Sequence, residues 1–344
     1  MRKTFATTLI ILFLIISFSC NKCNNETNRV KSVDIKNEDT VKIKIHRYEK
    51  ALNGIDPKDM KNGLKNLHHE YSFFIPDSAW KDEANVKQVK DFLSDPLYVA
   101  LYPDCIEKFP DLKDLEAKLG KAFTYFKHYY PEKKIPKVFS YVSCLDYEAP
   151  VKYADSVLII SLDMYLGSNY KYYNEILATK YNVPSYVQRR YRKDYILPDC
   201  MRAIATTLID NSQQSEKFID YVVYQGKILY FLDAMLPDTP DSLKMYYSSS
   251  QMDWCLKNEA KVWSYIVDKK VLFTPNTNII AKLCTDGPFT TVFSRQSPPR
   301  VGIWIGWQIV RSYMDNNPKV TLKDLFLDQD AQGILSKAKY KPKK

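Results

Sequence analysis

Apolar and polar positions first alternate near residue 41. Val41, Ile43 and Ile45 are separated by Lys42, Lys44 and His46, a period of two that predicts a half-buried strand with His46 on its polar face. Helix formers then run from Pro57 to Glu70, with Leu64 and Leu67 at i, i+3, and stop where Tyr71-Ser72-Phe73-Phe74-Ile75 meets Pro76. The clearest amphipathic period follows over 111–130, where Leu112, Leu115, Leu119, Phe123 and Phe126 share one face and Pro131 closes the run. Two short apolar runs, Lys137 to Ser143 and Ser156 to Leu162, predict strands separated by a loop that contains Pro150. From Tyr170 onward the period is almost wholly helical, over 194–210, 214–236, 250–269 and 301–315. Breaks are expected at Pro184, Pro198, Pro237, Pro275 and Pro298-Pro299.

Strands first and helices afterwards argue for an α+β fold, with a small antiparallel sheet followed by a mainly helical half. No repeat is visible and no long linker follows residue 40, so one globular domain is expected over 41–335, with a basic tail at 336–344. Gly302 and Gly306 lie in an apolar stretch bracketed by Arg300 and Arg311. That stretch is too short to cross a bilayer, and the two glycines predict close helix packing.

The N-terminus has a different character. Arg2 and Lys3 precede an apolar run from Leu9 to Ile16, and Ser19 stands directly before Cys20. A charged start, a short apolar core and a small residue before a cysteine resemble a bacterial lipoprotein signal, cleaved before Cys20 and followed by acylation of that residue. Ser17 and Phe18 depart from the commonest form of the pattern. Residues 1–19 are thus expected to be a signal and 20–40 a lipidated flexible tether, with membrane lipid as a partner through acylated Cys20.

This changes what the charge means. Lys plus Arg number 50 against 40 Asp plus Glu, a net +10; removing Arg2 and Lys3 with the signal leaves 48 − 40 = +8. Exported chains seldom meet nucleic acid, so the balance is assigned to anionic lipid, the cell wall or an acidic protein partner. No basic run is dense enough to mark one site. The remaining cysteines, Cys23, Cys105, Cys144, Cys200, Cys255 and Cys284, fit no zinc or redox spacing, and both free thiols and bridges stay open.

Motifs that carry chemistry are absent. The chain has no G-x-G-x-x-G, Walker, G-x-S-x-G or H-E-x-x-H sequence, and its four histidines, His46, His68, His69 and His128, all precede residue 129. His68, His69 and Glu70 are neighbours, which on a helix point apart and cannot share one ion. Asp163, at the end of the strand SVLIISL, is the carboxylate best placed for a site, with a turn-forming role as the alternative. Tyrosines 165, 170, 172, 173, 181, 186, 191 and 195 are numerous enough to form a recognition surface for partners or sugars, or simply to pack the domain. Asp163, Tyr165, Tyr172 and Tyr173 are the candidate recognition residues.

The segment IPKVFSYVSCLDYEAPVKYADSVLIISLDMYLG, with HHEYSFFIPDSAW before it and SPPRVGIWIGWQIVRSYM near the C-terminus, resembles the Bacteroidetes gliding motility lipoprotein family, GldB. The resemblance covers roughly residues 41–330. It implies a lipoprotein beside the gliding or type IX secretion apparatus, with envelope protein partners; because Asn-Lys-Cys-Asn-Asn after Cys20 lacks the acidic cluster of surface-exported lipoproteins, an outer-membrane anchor facing the periplasm is expected. That family is in turn distantly similar to zinc peptidases that need two histidines one turn apart, a glutamate and a third ligand from a facing helix. Here the corresponding helix reads Asp199-Cys200-Met201-Arg202, and Gln225-Gly226 stands where the relatives have Glu-Gly. Asp199, Cys200, Arg202 and Gln225 therefore mark a degenerate site, and the resemblance implies no catalytic residue, no metal and no cofactor. The alternatives are an envelope hydrolase using Asp163 and a tyrosine-rich glycan-binding lipoprotein.

Overall fold

The computed structural model describes residues 30, 33, 40–154, 156–209, 217–275 and 277–342. The signal, Cys20, Cys23 and nearly all of the tether lie outside the described residues. The architecture is α+β, with one four-stranded sheet and a helical remainder. Strand β1 (Ile45–Arg47) leads into α1 (Tyr48–Asn53), α2 (Met60–Tyr71), α3 (Glu83–Leu93), α4 (Pro96–Lys108) and α5 (Lys113–Tyr129) before the chain returns to the sheet. Strands β2 (Lys137–Tyr141), β3 (Val151–Ala154) and β4 (Val157–Ser161) follow.

The sheet order is β1-β2-β4-β3, with β1–β2 and β2–β4 parallel and only β3–β4 antiparallel. The expectation of an antiparallel sheet is therefore corrected to a mixed one. Residues 142–150 carry the chain past the position of β4 to the sheet edge, and the β3–β4 hairpin then inserts β4 next to β2. The stretch read as a plain loop thus contains a strand. Burial follows placement: β2 and β4 are buried on both faces, as their unbroken Val/Leu/Ile/Phe character requires, whereas β3 alternates half-buried and exposed positions as an edge. The first strand is shorter than the alternation suggested, since Val41 and Ile43 precede it.

Helix α4 has no strong period, and Pro103 inside it disguises it further. Pro96 at the first position and Asp95, whose carboxylate accepts from Leu97 N–H at 2.8 Å, start that helix. The second half contains α6 (Ser185–Gln188), α7 (Ile196–Leu208), α8 (Phe218–Met235), α9 (Asp241–Met245), α10 (Ser249–Asp268), α11 (Thr277–Cys284), α12 (Val301–Asn316), α13 (Leu322–Leu327) and α14 (Ala331–Ala338). Pro198 does not break α7. It stands in the first turn, where the missing N–H would have had no helical partner. The basic tail also needs correction: α14 runs through residue 336, Ala338 is buried, and Tyr340 donates to Glu259 at 2.8 Å.

Helix α8 is apolar all round because it is the central helix, covered on every side. It crosses α12 where both lack a side chain. A Cβ on Gly226 would strike the Gly306 carbonyl oxygen, and one on Gly306 would strike that of Val222. The contact is locked by a buried ion cluster in which Asp233 accepts from Arg311 Nε at 2.8 Å, Lys244 Nζ at 2.9 Å and Trp307 Nε1 at 2.9 Å. Arg311 also binds Asp241 at 2.8 Å and stacks 3.7 Å from the Trp307 ring centre. Among the described residues no helix is long and apolar enough to cross a membrane.

Candidate functional site

Asp163 follows β4 and is fully buried. Its Oδ1 accepts from Ser143 N–H at 2.8 Å, and its Oδ2 accepts from Leu145 N–H at 2.7 Å; the Ser143 hydroxyl lies at 3.0–3.1 Å from both oxygens. The loop it grips contains two successive non-glycine residues in the left-handed region, Cys144 (φ 59°) and Leu145 (φ 69°). One buried carboxylate thus holds a strained turn in place. Burial raises its proton affinity, and the backbone donors of Ser143 and Leu145 pull the other way. The recognition role expected of Asp163 is corrected to the turn-forming alternative, since the carboxylate has no exposed surface in this fold and both its oxygens are taken by Ser143 and Leu145.

Tyr173 is also corrected. It is buried, donates to the Asp163 carbonyl at 2.6 Å and accepts from Leu166 N–H at 3.1 Å. Tyr165, buried beneath the sheet end, donates to Asp199 at 2.8 Å. Of the four recognition candidates only Tyr172 keeps a partly exposed ring, capped by Lys171 at 4.8 Å.

The positions marked as a degenerate site divide. Cys200 is buried in the core on α7, and Gln225 lies on α8 beside the Gly226 crossing. Asp199 and Arg202 come together around Tyr246, which lies just after α9 at φ 57°. The Tyr246 hydroxyl donates to Asp199, and Arg202 Nε donates to that hydroxyl at 3.2 Å while Nη2 donates to the Lys244 carbonyl at 2.6 Å. Burial pushes Tyr246 up to about 12, with the Asp199 charge adding to it. Burial likewise raises Asp199, against the two tyrosine hydroxyls and the charges of Arg202 and Arg190.

Three guanidinium groups surround the Tyr246 ring: Arg190 at 4.6 Å, Arg202 at 4.9 Å and Arg300 at 5.4 Å. Arg300, at the start of α12, is held at φ 59° and donates to the Met245 carbonyl. Asp286 clasps two of them, lying 2.9 Å from Arg190 Nη1 and 2.9 Å from Arg300 Nε. Burial opposes its charge, but Arg190 and Arg300 hold Asp286 below the usual carboxylate range. In front of this cluster opens a cavity of about 230 Å³, lined by Arg189, Arg190, Arg192, Tyr186, Tyr195 and Tyr246 together with Tyr247, Ser248, Gln251 and Pro299.

Sequence reasoning missed this site. Its one local signal is the run Gln188-Arg189-Arg190-Tyr191-Arg192-Lys193, with four basic residues in six, whereas Tyr246, Asp286 and Arg300 arrive from distant loops. Three of the arginines of this run line the cavity. The histidines stay apart from it: His46 pairs with Glu70 at 2.5 Å, and His68 reaches the Ile75 carbonyl at 2.7 Å and Asp77 at 3.1 Å. Among the described residues no three His, Cys, Asp or Glu side chains are placed to hold a metal ion. The five described cysteines, Cys105, Cys144, Cys200, Cys255 and Cys284, are free.

No curated protein and no solved structure matches this chain. The family model described as gliding motility protein GldB matches residues 28–342, which spans the sheet, the Asp163 clamp and the arginine cavity alike. The chain therefore belongs to the gliding motility protein GldB family, and that membership implies involvement in gliding motility.

Proposed function

We propose that the protein is a non-catalytic lipoprotein of the cell envelope, anchored through acylated Cys20 to the outer membrane on its periplasmic side. It assembles or stabilises protein partners of the gliding motility or type IX secretion apparatus. Family membership supports the setting. The non-catalytic part rests on one observation, the use made of the peptidase-like positions. Asp199 is occupied by the hydroxyls of Tyr165 and Tyr246, Cys200 is sealed in the core, Arg202 binds a carbonyl, and a neutral glutamine stands at 225. A zinc peptidase would need imidazole and carboxylate ligands converging there with one position open to water.

Two measurements test the proposal. Deleting the gene is expected to abolish spreading or reduce type IX secretion, with rescue by the wild-type gene and not by Cys20→Ala; normal spreading and secretion after deletion would sink the machinery role. Metal analysis of the purified chain is expected to find no stoichiometric zinc. One zinc per chain, lost in Asp199→Ala or Cys200→Ala, would overturn the non-catalytic reading.

A further inference from the structure

The arginine cavity holds more positive charge than the fold can use. In and directly behind it stand Arg189, Arg190, Arg192, Arg202 and Arg300, against Asp199 and Asp286, an excess of three even with both aspartates ionised. Asp286 accounts for Arg190 and Arg300. Among the described residues no carboxylate lies within ion-pair distance of Arg189, Arg192 or Arg202, and Arg189 and Arg192 are exposed at the cavity wall. Arg190 Nε is buried without a hydrogen-bond partner. Like charges gathered this closely repel one another, and an anion drawn from solution would relieve that repulsion.

We propose that this cavity binds a phosphate monoester. Three features select that class. A dianion offsets most of the excess of three positive charges, whereas a single carboxylate offsets one. The charge comes from two separate segments of the lining, residues 189–192 and the N-terminal end of the 20-residue helix α10 at Ser248 and Gln251. Tetrahedral phosphoryl oxygens can address both segments, while a carboxylate is satisfied by one planar guanidinium fork. The volume, about 230 Å³, falls below the roughly 300–1,000 Å³ of clefts that hold drug-sized ligands, so the organic part is small. Tyr186, Tyr195 and Tyr247 supply flat, amphipathic walls for it. Tyr246 and Arg300, both non-glycine residues at positive φ, hold the back of the cavity in place. The inference does not depend on the envelope role, and either could fail without the other.

A phosphate monoester could come from a soluble metabolite or from a lipid headgroup, and the test separates the two. The full chain, purified in detergent, is titrated calorimetrically at constant ionic strength with inorganic phosphate, glycerol 3-phosphate and dihexanoyl phosphatidic acid, with acetate as the carboxylate control. Saturable binding of at least one phosphate probe is expected, weakened roughly tenfold in Arg189→Ala and in Arg192→Ala, the loss of one charge-assisted hydrogen bond. Both side chains are exposed, so both variants are expected to melt with the wild type. Tighter binding of the phosphatidic acid supports a lipid source, and equal or tighter binding of glycerol 3-phosphate a soluble one. Absence of saturation by all three probes, binding that neither substitution weakens, or acetate binding as tightly as phosphate would overturn the proposal.

Discussion

Two clusters of arginine, aspartate and aromatic rings lie in the helical half, one around Asp233 and one around Tyr246. Around Asp233, two cations, Lys244 and Arg311, meet two carboxylates, Asp233 and Asp241, and Trp307 completes the donor set. Lys244 and Asp233 are almost wholly buried, and the cluster ties α8, α9 and α12 together. Around Tyr246, five arginines face two aspartates and a cavity opens to one side. The same residue types therefore serve opposite ends. Balanced and sealed, they are a joint; unbalanced and open, they are a site awaiting a counter-charge.

The largest expected effect breaks the joint. Asp233→Ala leaves Arg311 and Lys244 only Asp241 to share, one buried positive charge too many, and should cost about 3–5 kcal/mol, read from the urea midpoint. A loss below about 1 kcal/mol would mean that the cluster is not what holds the three helices. Next is Asp163→Asn, which replaces an acceptor with an amide donor facing the Ser143 and Leu145 N–H groups and should cost about 1–3 kcal/mol. Wild-type stability in that variant would argue against the clamp.

One aspartate of each cluster, Asp233 and Asp199, should also answer pH with opposite signs, while Asp286 follows Asp233. Asp233 is held below its ordinary value: burial works against ionisation, but Arg311 and Lys244 outweigh it. Its contribution is complete above the ordinary carboxylate range, near pH 4, and is lost as pH falls through the lowered value. Asp199 is raised by burial, so its contribution is complete below that range and is lost as pH rises through the raised value. Urea midpoints of wild type and Asp199→Asn across this interval should converge at low pH, with the wild type losing ground as pH rises; parallel curves would show that Asp199 does not titrate this way. The smallest effect is Arg189→Ala, expected within about 0.5 kcal/mol of wild type by thermal melting, since the side chain is exposed. A larger loss would make Arg189 part of the scaffold and blur the distinction between joint and site.

Much of the scaffold is legible along the chain. The β-branched runs at 137–143 and 156–162, the stripe at 111–130 and the glycine pair in α12 each carry a local period or spacing that survives folding. The mixed sheet was not legible, because strand order depends on where a nine-residue connection crosses the sheet and not on the strands themselves. Nor was the use of Asp163 legible. A carboxylate after a strand looks the same whether it faces solvent or closes a turn 20 residues upstream, and only the fold brings Ser143 and Leu145 to it.

What the sequence determined by itself is whatever rests on neighbouring residues: the α+β class, most helices and the absence of an H-E-x-x-H sequence. Only the tertiary structure decided which charges are balanced. Arg189 to Arg192 are close in sequence, but Arg202 reaches them from the middle of α7, and Tyr246, Asp286 and Arg300 from helix ends and loops up to 111 residues away. Coulomb energy depends on distance through space, so neither the joint at Asp233 nor the excess charge at Tyr246 exists until the chain has folded.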